Sequence, residues 1–184
     1  MNNLQSLIKE INKRSFDEFI NKFNNIKNKI PILSKGGFKR VLEELSISES
    51  NVEKLEDYVF ISILNTDVIG DNVGYFKSNK SNVLILNFND IEEDVEVSPG
   101  IFSRTISNNQ SMEIIEFINR NKEIIINGKC VVHCSAGVSR SGAVGLFINN
   151  YFSFDEDLFR YFNSNIIPNK TVLDALIRLS PNVT

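Results

Sequence analysis

Three short segments are dense in β-branched and aromatic residues and lie between polar turns: Tyr58–Leu64, Val83–Phe88 and Lys129–His133. Each reads as a strand. Around them, apolar residues recur at helical spacing. Leu4, Leu7, Ile8, Ile11, Phe16, Phe19, Ile20 and Phe23 predict one or two amphipathic helices over residues 4–27, with breaks at Pro31 and Gly36-Gly37. Phe38–Leu45 predicts another short helix, and Ser50 or Asn51 is placed to cap a later turn. Residues 65–82 are polar and turn-like, and 91–107 read as an acidic loop broken by Pro99-Gly100. Met112, Ile115, Phe117 and Ile118 mark a helix before the third strand. After that strand, Ser139 or Ser141 begins a helix apolar on most sides, which predicts a central position. Two more helices are expected, Asp155–Phe162 and one opened by Pro168 and running to about Leu179.

Strand, helix, strand, tight turn and helix in succession predict an α/β fold with a sheet core. At 184 residues and 42% hydrophobic, the chain suffices for one domain with a full core. The expected organisation is a single domain, with residues 1–50 a helical extension packed on a core of 51–184. A net charge of −3 argues against a general nucleic-acid-binding role. Ten Asp/Glu against three Lys/Arg fall in residues 51–100, which reads as a solvated acidic surface. No apolar run reaches the roughly 20 residues of a membrane span, and the N-terminus lacks the regions of a signal peptide. Cys130 and Cys134 sit at the two ends of one strand, about 13 Å apart, too far for a disulfide. A reducing, cytoplasmic location is therefore expected.

The chemistry concentrates in His133-Cys134-Ser135-Ala136-Gly137-Val138-Ser139-Arg140-Ser141-Gly142, which holds the only histidine of the chain. A phosphate monoester carries about two negative charges near neutral pH, so a nucleophile must overcome repulsion. A strand-to-helix turn supplies the compensation. Backbone N–H groups from Ser135, Ala136, Gly137, Val138, Ser139 and Arg140 can curl around phosphate oxygens. The following helix aims its positive end at the same point. Gly137 permits a sharp bend or close approach, and the Arg140 fork bonds two oxygens at once. The same field favours the thiolate of Cys134. His133 is placed to position the cysteine, and Ser141 to stabilise the sulfur as a leaving group. Cys130 lacks this context and reads as a core thiol.

The segment resembles the His-Cys-x5-Arg-Ser/Thr signature of cysteine-based protein tyrosine phosphatases, and Ala-Gly-Val-Ser-Arg-Ser resembles their dual-specificity branch. The resemblance runs from about Tyr58 to Leu179, includes Pro168-Asn169 before a late helix, and does not extend to residues 1–50. It implies a central, mostly parallel sheet flanked by helices, with the loop at the sheet's C-terminal edge. It also implies a two-step reaction through a phosphocysteine on a phosphoprotein, without metal or other cofactor. One histidine and dispersed carboxylates likewise make a poor metal site.

The family also uses an aspartate as proton donor, on a loop after the preceding strand. Asp90 fits that place, with Asp94 second and Glu92 and Glu93 behind it. Forty-four positions separate Asp90 from Cys134, more than in compact members, which points to an insertion around 95–110. Arg104 in that insertion reads as a surface residue. Competing readings are a phosphatase for lipid, inositol or RNA 5′-phosphates and a non-catalytic phosphopeptide-binding module. The absence of lysine between Cys134 and Arg140 favours phosphotyrosine, with phosphoserine or phosphothreonine as further substrates, over highly charged non-protein phosphates.

Overall fold

The computed structural model describes residues 29–66 and 75–180. The helices expected over residues 4–27 lie outside this range. Four parallel strands form the main sheet in the order β1-β6-β2-β3: β1 is Ile32–Ser34, β2 Tyr58–Leu64, β3 Val83–Asn87 and β6 Lys129–Cys134. The helices are α1 (Lys35–Glu44), α2 (Asn108–Arg120), α3 (Lys122–Asn127), α4 (Arg140–Tyr151), α5 (Glu156–Phe162) and α6 (Lys170–Leu179). A hairpin of β4 (Val95–Ser98) and β5 (Ile101–Ser103) stands apart from the main sheet.

Successive strand side chains alternate between faces, and both faces of this sheet are covered. Val59, Ile61, Ile63, Cys130 and Val132 belong to one core cluster with residues of α2, α4 and α6. Phe60 and Val131 belong to the other, with Phe38 and Val41 of α1. Burial on both faces explains why β2 and β6 are near-continuous apolar runs. Ten consecutive residues of α4, Arg140 to Asn149, are buried, as its all-round apolarity predicts. No helix among the described residues is long and apolar enough to cross a membrane.

Three departures from the sequence reading bear on the site. Before residue 50 the described chain is not purely helical: Ile32–Ser34 is a strand paired with β6, and Ser34 lies opposite Cys134. Residues 91–107, expected as an acidic loop, contain the β4–β5 hairpin turning at Pro99-Gly100, with Gly100 at φ +77°. The last helix starts at Lys170, capped by the Asn169 side chain rather than opened by Pro168.

Candidate active site

Parallel strands bring their C-terminal ends to one edge, where open α/β sheets place their ligand sites. Leu64, Asn87 and Cys134 end three of these strands. The turn 135–139 leaves β6 there and enters α4 at Arg140. Gly137 makes the turn possible, with φ at +72°. A Cβ at this position would lie 2.3 Å from Ser34 N and 2.5 Å from Leu33 C. The turn is therefore pressed against the end of β1, and the Lys35 N–H donates to the Ser135 carbonyl at 3.2 Å.

Cys134 is 2% exposed and lies at the centre of this turn. Its Sγ is 3.1 Å from Ser141 Oγ and accepts the Gly137 N–H at 3.3 Å. Burial alone would push the thiol up. The Ser141 hydroxyl and the backbone N–H groups of Ser141, Val138 and Gly137 outweigh burial and hold it below its ordinary value. Cys130, on the same strand, has burial without those donors, and its thiol is pushed well up. Two cysteines four positions apart thus have thiols shifted in opposite directions, through the Ser141 hydroxyl and the backbone donors that only Cys134 meets.

Arg140 is 3% exposed, and its guanidinium is held by strand ends. Nη1 donates to the Phe88 carbonyl at 2.7 Å and the Leu64 carbonyl at 3.4 Å, and Nη2 donates to Ser135 Oγ at 3.1 Å. Nε is buried and has no partner among the described residues. A buried charged donor without a partner is costly, and the Nε–Nη2 edge is the edge a tetrahedral anion bonds in bidentate fashion. A cavity of about 220 Å³ opens beside the thiol, lined in part by Lys35, Leu64, Asn65, Cys134 and Ser135.

His133 precedes Cys134 on β6, and its ring packs against Phe38 of the other core cluster. It is 1% exposed, stacks on Phe38 with ring centroids 4.0 Å apart, and its Nε2 is 2.8 Å from Ser62 Oγ. Burial pushes its pKa down to about 4; the Lys35 and Arg140 charges add to this, and the Cys134 backbone opposes it. The ring is therefore neutral near pH 7 and adds no formal charge to the site. Ser62 and Phe38 fix its orientation. Neither was singled out from sequence, because both contacts span tens of positions.

Asp90 reaches the rim of the turn. Its Oδ1 accepts from Ser139 Oγ at 2.7 Å and from Asn169 Nδ2 at 2.9 Å. The neighbouring Asn89 anchors the segment from below. Its amide donates to Thr66 Oγ1 at 2.6 Å and Ser103 Oγ at 2.7 Å, and its backbone N–H donates to the Arg104 carbonyl at 2.8 Å. Asp94 is engaged elsewhere: Oδ2 pairs with Arg104 Nη1 at 3.1 Å and Oδ1 accepts the Thr105 N–H at 2.9 Å, closing the base of the hairpin. The structure thus brings Asp90 to Ser139 and commits Asp94 and Arg104 to each other. The Glu92 backbone carbonyl accepts from Thr171 Oγ1. Asn89 and Asn169 were missed as site residues; the one sequence signal was the Pro168-Asn169 pair.

No protein-family model and no curated protein matches the chain. Among solved structures, it is similar to human tyrosine phosphatase-like serine/threonine/tyrosine-interacting protein, with 19% identity and a TM-score of 0.46 over 83% of this chain and 91% of that one. It is also similar to Tk-PTP in the active form, with 17% identity and a TM-score of 0.43 over 74% and 88%. A third is PTPMT1 in complex with PI(5)P, with 13% identity and a TM-score of 0.44 over 85% and 93%.

Proposed function

We propose that this chain is a cysteine-dependent phosphatase of the tyrosine and dual-specificity type, acting in the cytoplasm on phosphoproteins. Cys134 thiolate attacks phosphorus while Asp90 gives a proton to the leaving phenolate or alkoxide. The P–O ester bond breaks as the S–P bond forms. Water then attacks the phosphocysteine, Asp90 takes up its proton, and the S–P bond breaks to release inorganic phosphate and thiolate. Ser141 Oγ, 3.1 Å from Sγ, stabilises the departing sulfur. Arg140 and the N–H groups of 135–140 hold the equatorial oxygens throughout.

One observation carries this reading. A buried thiol held below its ordinary pKa and a buried arginine with an unpartnered Nε belong to one turn. Either alone has a structural explanation; together they form a nucleophile inside an anion cradle. The commitment of Asp94 to Arg104 and Thr105 favours Asp90 as the proton donor.

Steady-state hydrolysis of phosphotyrosine, phosphoserine and phosphothreonine peptides, beside phosphoinositides and an RNA 5′-phosphate, tests the substrate class. The expected result is highest kcat/KM on a phosphopeptide and full loss of turnover in Cys134→Ser. Preference for a non-protein phosphate would overturn the substrate assignment. An intact chain that binds phosphopeptides without hydrolysing any of them would overturn the enzymatic one.

A further inference from the structure

We propose that Asn169 is a positioning residue that fixes the carboxyl of Asp90 over the phosphate cradle, so that the first turn of α6 sets the geometry of proton transfer. This rests on the reading of Asp90 as proton donor given above. Asn169 makes four contacts that no surface helix cap needs together. Its Oδ1 accepts the Val172 N–H at 3.0 Å, which caps α6. Its Nδ2 donates to Asp90 Oδ1 at 2.9 Å and lies 3.5 Å from the Ile91 carbonyl. Its backbone N–H donates to the Ser139 carbonyl at 3.2 Å. Asn169 is itself buried, 8% exposed, while the Asp90 it holds lies at the exposed rim of the turn.

The surrounding contacts make a closed circuit. Two residues before Asn169, the Ile167 N–H donates to the Val138 carbonyl at 3.2 Å, so the approach to α6 is tied to the cradle. Two residues after it, Thr171 Oγ1 donates to the Glu92 carbonyl at 2.8 Å, so the helix also holds the chain just past Asp90. Ser139 completes the loop from the cradle side. Both donors to Asp90 meet the same oxygen, Oδ1. That pattern suits the ionised and the protonated carboxyl alike, and it reserves Oδ2 for the proton that moves. Holding one oxygen while leaving the other to react is what a donor needs if it is to be aligned before substrate arrives.

Leaving-group dependence separates this role from a structural one. Phosphotyrosine expels a phenolate of pKa about 10 and needs the proton; an activated aryl phosphate such as p-nitrophenyl phosphate needs it far less. The variants Asn169→Ala and Asn169→Asp would be assayed on both, beside Asp90→Asn. Asn169→Asp keeps the cap oxygen and the shape but replaces the donor amide with an oxygen. In both Asn169 variants the ratio of kcat/KM on the activated substrate to kcat/KM on phosphotyrosine should rise about tenfold, the factor one lost hydrogen bond corresponds to; kcat/KM is used because hydrolysis of the shared phosphocysteine is common to both substrates. In an Asp90→Asn background the same substitutions should leave the ratio where Asp90→Asn alone puts it. An unchanged ratio in the Asn169 variants, with a raised ratio in Asp90→Asn, would overturn the positioning role and leave the donor assignment standing. An unchanged ratio in Asp90→Asn would overturn both. Equal loss on the two substrates, accompanied by a lower melting temperature, would assign Asn169 to the fold and overturn the proposal.

Discussion

Replacing Arg140 by lysine preserves the charge of the cradle and removes its shape, which isolates the contribution of the guanidinium fork. In the folded chain Nη1 is spent on the Phe88 carbonyl at 2.7 Å and the Leu64 carbonyl at 3.4 Å, and Nη2 donates to Ser135 Oγ at 3.1 Å, which leaves Nε and the second hydrogen of Nη2 for the proposed phosphate. An ammonium cannot do both. It either reaches the strand carbonyls and leaves the anion, or meets the anion as a point charge and leaves two buried carbonyls short of a donor. Each hydrogen bond to a charged group is worth about 1.5 kcal/mol at the low end. Two lost bonds give about 3 kcal/mol, or roughly 150-fold in kcat/KM. The assay is hydrolysis of an aryl phosphate by wild type and Arg140→Lys, with the inhibition constant of vanadate measured in parallel. Both should weaken together, because vanadate occupies the same edge. A variant within about tenfold of wild type on both measures would refute the bidentate geometry and reduce Arg140 to a source of positive potential.

Ser141→Ala should shift the pH profile of iodoacetamide inactivation upward, because one of the donors that oppose burial at the Cys134 thiol is gone; an unshifted profile would show that the backbone amides suffice. His133 gives a stability test. Its folded pKa, about 4, lies below the unfolded value of 6.5, so its contribution is present above pH 6.5 and lost as pH falls toward 4. The loss is roughly 3 kcal/mol at the bottom of that window. Urea unfolding of His133→Gln should therefore depend less on pH between 7 and 4.5 than that of wild type, and parallel curves would contradict the assignment. Gly137→Ala should lower stability by about 2 kcal/mol or more, from the left-handed backbone and the contact with the end of β1, and abolish turnover. Denaturation midpoints check the first part; retention of both stability and activity would contradict the described turn.

The strands β2 and β6 were legible because burial on both faces writes itself as an apolar run, and α4 because a helix enclosed on every side shows no polar face. The thiol, the arginine and the glycine of the cradle were legible for a different reason: they are adjacent in the chain, and their chemistry is local. What was hidden is non-local or short. β1 is three residues long and exists as a strand through its pairing with β6. The β4–β5 hairpin has two short strands in which every residue but Ser103 is exposed, so no buried face sets a pattern. Asp90 could be placed only by its position after a strand. The contacts that single it out from Asp94 come from Ser139 and Asn169, 49 and 79 positions away. The neutral state of His133 likewise comes first from its depth in the core, where Phe38, distant in sequence, stacks on its ring.

The central claim is that the sulfur of Cys134 carries the phosphoryl group between substrate and water. Rapid quench in denaturant at alkaline pH during turnover of a phosphotyrosine peptide, followed by digestion and mass analysis at alkaline pH, is the direct test. The expected result is one added phosphoryl group on the peptide that contains Cys134, labile in mild acid and stable in alkali as an S-phosphate is, more of it in Ser141→Ala, and none in Cys134→Ser. A phosphoryl group on any other residue, or continued turnover by Cys134→Ser, would contradict it.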